Sequence, residues 1–359
     1  MNLILYLFII FFWIIIPKKS HKDIVRYSIV VGIITLLIIG LRNEAIYGDT
    51  LNYVLTFIDL QDYTPAEILF FKRKDPTFYL LSYFLGKITG EDYTIWLLII
   101  TTIFMLPFTY LIKRYSPDPL YAWLCFFFIG IYFFVMAGLR QTVAMGFIIA
   151  AFLLLINNKE KWFWCCLFLA YLFHGASLIF IIAYPVIKKN IPLNTVTFFS
   201  YLILFGIVAI FGKNILLNAI EVIQEHDERY ISYGNNLKGS TLTYFIQQFL
   251  IVIPSLYILR DNLQERSCRI FAHLSLIALI AVSMSPVIAE MFRLSMYFSW
   301  ADVILFSMAM SKIKTPFYKF SYIFLISLYL IFINGTLQEE YFFYFQDTTA
   351  FIETHYTFL

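Results

Sequence analysis

Long apolar runs separated by short polar segments dominate the hydrophobic pattern of this chain. A transmembrane helix needs about 20 mostly apolar residues. We expect about ten full transmembrane helices, at residues 3–16, 26–41, 94–112, 119–137, 139–156, 194–211, 241–259, 270–289, 294–311 and 317–334. The pattern therefore predicts an all-α polytopic membrane protein, folded as a single integral membrane domain over residues 1–359.

Two further apolar segments do not have the length of ordinary transmembrane spans. One is too short to cross a bilayer once, and the other is too short to cross it twice. Segment 77–88 predicts a short interfacial helix on the outer side. Segment 162–187 lies between basic residues at both ends, whereas two full crossings would need about 40 residues. We therefore expect a re-entrant pair of half-helices in 162–187, with its apex at Phe173–Gly175, because broken backbone at membrane depth is tolerated beside protein or a water-filled cavity.

Composition and charge support a membrane protein and predict its orientation. The chain is 61% hydrophobic and only 14% charged, which excludes a soluble domain. Lys and Arg concentrate in alternate short loops, beginning with the segment 17–26, and such loops face the cytoplasm. This places both termini outside. It also predicts outer loops at 42–93 and 212–240 and an outer, periplasmic C-terminal tail at 335–359.

Arg140 is the only charged residue between Asp118 and Lys159. The predicted turn near Ala137 and Gly138 places it at the start of a helix. A charge at the membrane centre costs roughly 2.5 kcal/mol or more. Arg140 either extends its charged end to the interface or binds an anion in a membrane cavity. Gly138 and Gln141 beside it favour the anion site.

Two more arginines belong to the same predicted outer face, Arg42 after the second span and Arg293 near Glu290. Arginine binds phosphate through a planar fork of donors. Three arginines at this face suit a diphosphate presented from the membrane, although each alone would also suit a phospholipid headgroup.

His174, Asp49 and Tyr53 are the other candidates for chemistry. His174 lies at the predicted re-entrant apex and is either a base or phosphate ligand or a hydrogen-bonded core residue. Asp49 and Tyr53 are four residues apart and would share a helix face. The alternative for this pair is a helix cap with a packed tyrosine.

Five segments together resemble the EpsG family of Wzy-type polysaccharide polymerases. They are Arg42 with GDTLNY (48–53), FYLLSYFLGKI (78–88), GLRQTVAMGF (138–147), LFHGASLIF (172–180) and FRLSMYF (292–298). The resemblance covers nearly the whole chain. It departs from the family in the first segment, where Tyr47-Gly48-Asp49 replaces a common Gly-Thr-Asp run.

The resemblance implies a glycosyltransferase that joins oligosaccharide repeat units carried on undecaprenyl diphosphate. The polymer would be O-antigen, capsule or exopolysaccharide, made at the outer (periplasmic) face of the bacterial cytoplasmic membrane. Donor and acceptor would both be lipid-linked, and a chain-length regulator is a further candidate partner. We expect no nucleic-acid partner, no cofactor and no metal, since the chain has no Asp-x-Asp pattern.

The resemblance also assigns roles to the candidates. The catalytic residues would be His174, Asp49 and Arg140, with His174 and Asp49 as the two candidate bases. Arg42, Arg140 and Arg293 would bind the diphosphate. The residues that contact or orient the sugar would be Tyr53, Gln141 and Glu290.

Three other functions fit parts of the pattern. An O-antigen ligase shares the donor but usually carries a larger outer domain. A membrane O-acyltransferase of polysaccharide would need His174 to face a channel from the cytoplasm. A lipid-linked oligosaccharide flippase would suit the broken segment 162–187, but transporters often contain two related halves, and we find no such repeat.

Overall fold

The computed structural model describes residues 20–46, 48–72, 74–90, 92–224, 242–285 and 291–334, together with residues 9, 11, 12, 14 and 15. Every regular element in these residues is a helix, which confirms the all-α fold. The tail 335–359, residues 225–240 of the second outer loop and most of the first predicted span lie outside the described residues.

Fifteen α-helices follow one another along the described parts of the chain. They are α1 (His21–Gly40), α2 (Gly48–Asp59), α3 (Pro65–Phe71), α4 (Pro76–Thr89), α5 (Tyr93–Tyr115), α6 (Pro119–Phe128), α7 (Ile131–Ala137), α8 (Leu139–Ile156), α9 (Glu160–Phe173), α10 (Ala183–Lys188), α11 (Thr195–Gln224), α12 (Thr243–Ile258), α13 (Arg266–Ser283), α14 (Met291–Lys312) and α15 (Pro316–Asn334). Short 3₁₀ helices cover Leu60–Asp62, Gly175–Ile182 and Arg260–Asn262.

The chain divides into two compact units. Within the described residues, the first comprises the part up to Phe127 together with Ile131–Ile181. The second comprises Phe128–Gly130 and Ile182–Ile333.

Among the described residues, five helices are long and apolar enough to cross a membrane: Lys22–Gly40, Tyr93–Tyr115, Leu139–Ile156, Arg266–Ser283 and Met291–Lys312. A sixth span results if α6 and α7, which are bent by 57° at a short break, are counted as one. The described residues thus show five or six candidate spans, fewer than the ten that the sequence predicts. One reason is that apolar runs such as α12, with 16 residues, form helices shorter than the bilayer requires.

The break between α6 and α7 was not predicted, since 119–137 was expected to be one span. Gly130 adopts a φ of 77° there, a left-handed conformation that only glycine takes without strain. The predicted turn that follows is confirmed: α7 ends at Ala137, Gly138 caps the next helix, and Arg140 is the second residue of α8.

The two unusual short segments differ in structure: one is a continuous helix and the other is interrupted. The expected helix at 77–88 is confirmed as α4, and Pro76 occupies its first turn, where the missing N–H costs nothing. In the segment 162–187, α9 ends at Phe173 with His174 as its C-cap, and a 3₁₀ helix begins at Gly175, which confirms the break at the expected apex. The re-entrant path of the two halves stays a prediction.

Small residues allow close helix packing in the first unit. A methyl group on Gly146 of α8 would lie 2.4 Å from the carbonyl oxygen of Ile103 on α5. A methyl group on Gly32 of α1 would lie 2.6 Å from the hydroxyl of Thr109 on α5. Such contacts bring backbones together where water-driven burial is absent. Helix α5 therefore packs closely against both α1 and α8.

Candidate functional site

The guanidinium of Arg140 is held in a half-buried position by two side chains from distant parts of the chain. Its Nε donates to the hydroxyl of Tyr53 on α2, at 3.2 Å. Its Nη1 donates to Oδ2 of Asp75, at 3.0 Å. The exposed fraction of the two charged side chains is 21% for Arg140 and 9% for Asp75. The arginine therefore reaches solvent while its orientation is set from two sides.

Asp75 connects three elements through one carboxylate. It lies directly before α4 with a left-handed backbone (φ 54°, ψ 50°), and its side chain makes no capping bond to that helix. Instead, Oδ2 accepts from Arg140 and Oδ1 accepts from the backbone N–H of Gly175, at 3.3 Å. The carboxylate thus joins the starts of α4 and α8 to the break after α9.

Sequence reasoning missed Asp75. The position carried a weak signal, because an acidic residue followed by Pro76 is typical of a helix start. A pattern of helix starts does not reveal which guanidinium the carboxylate meets.

The ring of Tyr79 lies beside the Arg140 guanidinium. The Arg140 guanidinium carbon is 5.9 Å from the centroid of the Tyr79 ring, within cation–π range. The Nζ of Lys72 is 5.4 Å from the same centroid. Burial raises the pKa of Tyr79 above its ordinary value, so the ring is a neutral phenol at physiological pH. A second cation, Lys72, therefore belongs to the surroundings of Arg140.

Arg42 is fully buried and contacts backbone carbonyls. Its Nη1 donates to the carbonyl of Ile39 at 2.6 Å, and its Nη2 donates to the carbonyl of Met136 at 2.8 Å. The hydroxyl of Thr50 donates to the same Met136 carbonyl, at 3.1 Å. These bonds tie the end of α1 and the start of α2 to the end of α7, just before the turn that leads to Arg140.

His174 and Gly175 form the break after α9. The backbone of His174 is extended (φ −157°, ψ 109°), and its N–H still donates to the carbonyl of Ala170, at 2.9 Å. Its side chain is half-buried. Gly175, the next residue, donates its N–H to the Asp75 carboxylate that holds Arg140. His174 is therefore the sequence neighbour of a residue that contacts this carboxylate. The structure thus places the predicted apex next to the predicted anion site.

The other predicted site residues lie in different surroundings. Tyr53 contacts Arg140, as described above, whereas Asp49 lies exposed one turn earlier on α2. Gln141 is buried in the first turn of α8. Arg293 belongs to the second unit, where it is exposed and lies 6.0 Å from the ring centroid of Phe292. Glu290 lies outside the described residues.

No group of three or more His, Cys, Asp or Glu side chains that could hold a metal ion occurs among the residues that the structure describes. The chemistry that the described geometry can offer comes from a guanidinium, a carboxylate, two phenols, a lysine and an imidazole. These groups suit an anionic substrate with hydroxyl groups, because they combine fixed positive charge with hydrogen-bonding partners.

A model of the EpsG family matches residues 25–348. The chain belongs to the EpsG family. The match runs from within α1 past the end of α15 and includes every predicted site residue. No curated protein and no solved structure matches the chain. Membership makes this EpsG protein a multi-pass membrane protein of polysaccharide-polymerase type, in agreement with its apolar helices.

Proposed function

We propose that this EpsG protein is a polymerase that joins oligosaccharide repeat units carried on undecaprenyl diphosphate, by glycosyl transfer without a metal. The observation that carries the proposal is the oriented Arg140 guanidinium, held by Tyr53 and Asp75 beside the break at His174. A half-buried arginine with a fixed orientation is suited to bind the diphosphate of a lipid-linked sugar.

In the proposed reaction, an oxygen of the acceptor sugar attacks the anomeric carbon of the donor chain. A new glycosidic bond forms, the bond from that carbon to the lipid diphosphate breaks, and the diphosphate leaves with the electron pair. Arg140 stabilises the charge that develops on the leaving diphosphate. The proton of the acceptor hydroxyl passes to a base, for which His174 and Asp49 are the candidates.

Burial refines the proposed roles of the other residues. Arg42 donates to two carbonyls in the interior, so we assign to it the positioning of the turn before Arg140. Tyr53 and Asp75 orient the guanidinium, and Gln141 supports the first turn of α8. Arg293 as a second diphosphate ligand and Glu290 as a sugar ligand remain parts of the proposal that rest on the sequence.

The proposed orientation follows from the charges of the loops. With the basic loops in the cytoplasm, both termini and the Arg140 site face the outer side of the cytoplasmic membrane. That side is where lipid-linked repeat units would be joined, and a chain-length regulator would act from the same side. Ten crossings would complete this topology if shorter helices and the residues outside the described ranges contribute spans.

The first experiment deletes the gene in the native bacterium and analyses the surface polysaccharide by gel. The deletion strain is complemented with the wild type, Arg140→Ala, His174→Ala and the control Arg260→Ala, at matched membrane levels. Arg260 is an exposed arginine of the second unit. We expect single-repeat glycolipid in the deletion strain, long chains with wild type and Arg260→Ala, and no long chains with Arg140→Ala.

Other outcomes would identify the rival functions. Full-length polymer that lacks an acetyl group would indicate an acyltransferase. Loss of even the single repeat unit at the surface would indicate a flippase. Normal chains on the lipid carrier that never reach lipid A would indicate a ligase. Each of these results would contradict the polymerase proposal.

A further inference from the structure

We propose that Lys72 is the second cation of the lipid-diphosphate site, and this inference rests on the proposed function. Lys72 follows α3 directly, and Arg140 opens α8, yet both cations lie against the ring of Tyr79. The separations from the ring centroid are 5.4 Å for Lys72 Nζ and 5.9 Å for the Arg140 guanidinium carbon.

The shared ring limits the distance between the two positive charges. The distance between the two charges cannot exceed the sum of their distances from the centroid of the Tyr79 ring. Each charge-assisted hydrogen bond to a phosphate oxygen spans about 2.8 Å. A group with two linked phosphates can therefore contact Lys72 and Arg140 at once.

Lys72 differs from Arg140 in its electrostatic surroundings. Arg140 is paired with Asp75, but no carboxylate lies within ion-pair distance of Lys72 among the described residues. Its positive charge is thus not neutralised by a neighbour in this part of the chain. An incoming diphosphate would meet an oriented guanidinium on one side and an unneutralised ammonium on the other.

The helix before Lys72 suits the lipid part of such a ligand. Leu69, Phe70 and Phe71 at the end of α3 are 51%, 62% and 63% exposed. Apolar side chains followed at once by a cation match an amphiphile with an apolar chain and an anionic head. The proposed ligand class is therefore a prenyl diphosphate, with its chain beside Phe70 and Phe71 and its phosphates between Lys72 and Arg140.

The chain offers a matched control for the charge of Lys72. Lys87 lies on α4 with its Nζ 5.0 Å from the ring centroid of Tyr83. It thus repeats the Lys–Tyr contact one turn further along the helix that carries Tyr79, and its Nζ donates to the carbonyl of Gln61 at 2.9 Å. Replacing either lysine by methionine keeps the length of the stem and removes the charge.

The test measures binding to the full-length protein in nanodiscs of phosphatidylcholine. The probes are farnesyl diphosphate, farnesyl monophosphate and inorganic diphosphate, and the proteins are wild type, Lys72→Met, Lys72→Arg, Lys87→Met and Arg140→Met. We expect Lys72→Met to weaken farnesyl diphosphate binding roughly ten-fold or more. The same change should affect the monophosphate far less, Lys72→Arg should restore binding, and Lys87→Met should bind as the wild type.

The outcomes separate this inference from the proposed function. If Arg140→Met loses the diphosphate but Lys72→Met keeps it, the role of Lys72 is wrong while the function stands. If the wild type binds no farnesyl diphosphate, the proposed function itself is contradicted. Nanodiscs containing phosphatidylglycerol test the other source of phosphate. If Lys72→Met abolishes a preference for phosphatidylglycerol but leaves farnesyl diphosphate binding unchanged, Lys72 belongs to a lipid-headgroup site. That result would overturn the inference.

Discussion

Asp75 and Arg140 form an ion pair with 3.0 Å between Oδ2 and Nη1, although 65 residues separate them in the chain. The same carboxylate accepts the N–H of Gly175. One side chain therefore links the short helix α4, the membrane helix α8 and the break after α9. An anion that enters this site meets a guanidinium whose orientation is already set, which reduces the reorganisation that binding requires.

We predict that Asp75→Ala lowers kcat of repeat-unit transfer about ten-fold or more, a cost of about 1.4 kcal/mol in the transition state, without raising KM for the donor. The guanidinium loses its orientation, but the competing carboxylate is gone, so donor binding is not weakened. Asp75→Asn should retain part of the activity because its amide oxygen still accepts one hydrogen bond. Steady-state kinetics of the purified protein would check this, and a raised KM with unchanged kcat would refute the positioning role.

Arg140→Lys should abolish most polymer formation although the charge is kept. Lysine is a point charge and cannot contact Tyr53, Asp75 and a phosphate together, as the planar fork can. The measurement is polymer length on a gel at matched protein level, with Arg260→Lys as the control. Near-normal polymer from Arg140→Lys would count against bidentate phosphate binding.

For Tyr53→Phe we expect a loss of activity of roughly three- to ten-fold with unchanged expression. The hydroxyl that accepts from Arg140 Nε is removed, and such hydrogen bonds to charged groups contribute at most about 1.5–3 kcal/mol. The ring keeps its edge contact with Phe78, at 5.6 Å between centroids. Tyr83→Phe, one helical turn after Tyr79 on α4, is the control, because the Tyr83 ring lies beside Lys87 and not beside Arg140. Equal activity of both variants in a transfer assay would remove Tyr53 from the site.

Arg42→Ala should destabilise the protein, in contrast to Arg140→Ala. The buried carbonyl of Ile39 loses its side-chain donor, and that of Met136 keeps only the Thr50 hydroxyl; a buried polar group left unsatisfied costs about 1–3 kcal/mol. We expect a lower thermal midpoint of the detergent-purified protein and a lower membrane level. A fully stable Arg42→Ala protein without polymerase activity would instead support direct diphosphate binding by Arg42.

Gly146→Ala should separate α5 from α8 and destabilise the first unit by about 1–3 kcal/mol, the usual cost of overpacking. The added methyl would overlap the carbonyl oxygen of Ile103, at 2.4 Å, and a backbone atom does not move aside easily. Gly206→Ala is the matched control, since no atom lies within 4 Å of its added methyl. Thermal unfolding of both variants checks this, and equal midpoints would show that α5 and α8 adjust freely.

Hydropathy and local breaks determined much of this fold from the sequence alone. The apolar composition predicted an all-helical membrane protein, the short apolar segment 77–88 predicted α4, and Gly138 and His174 marked helix breaks that the structure confirms. These features depend on neighbouring residues and on burial of whole segments in lipid, so they can be derived from a local pattern. The family resemblance, confirmed over residues 25–348, came from short motifs of the same kind.

Tertiary structure decided the number of long helices and the partners of the polar side chains. The sequence showed one apolar run at 119–137, but Gly130, with a left-handed backbone, divides it into two helices. The backbone conformation of a glycine within an apolar run cannot be predicted from its neighbours in sequence. Arg42 and Arg140 had similar predicted roles. In the structure, Arg42 is buried and donates to backbone carbonyls, whereas Arg140 is partly exposed and is oriented by Asp75. Hydrophobicity adds up residue by residue along a segment, whereas an ion pair between residues 65 positions apart exists only after the fold has brought the start of α4 to the start of α8.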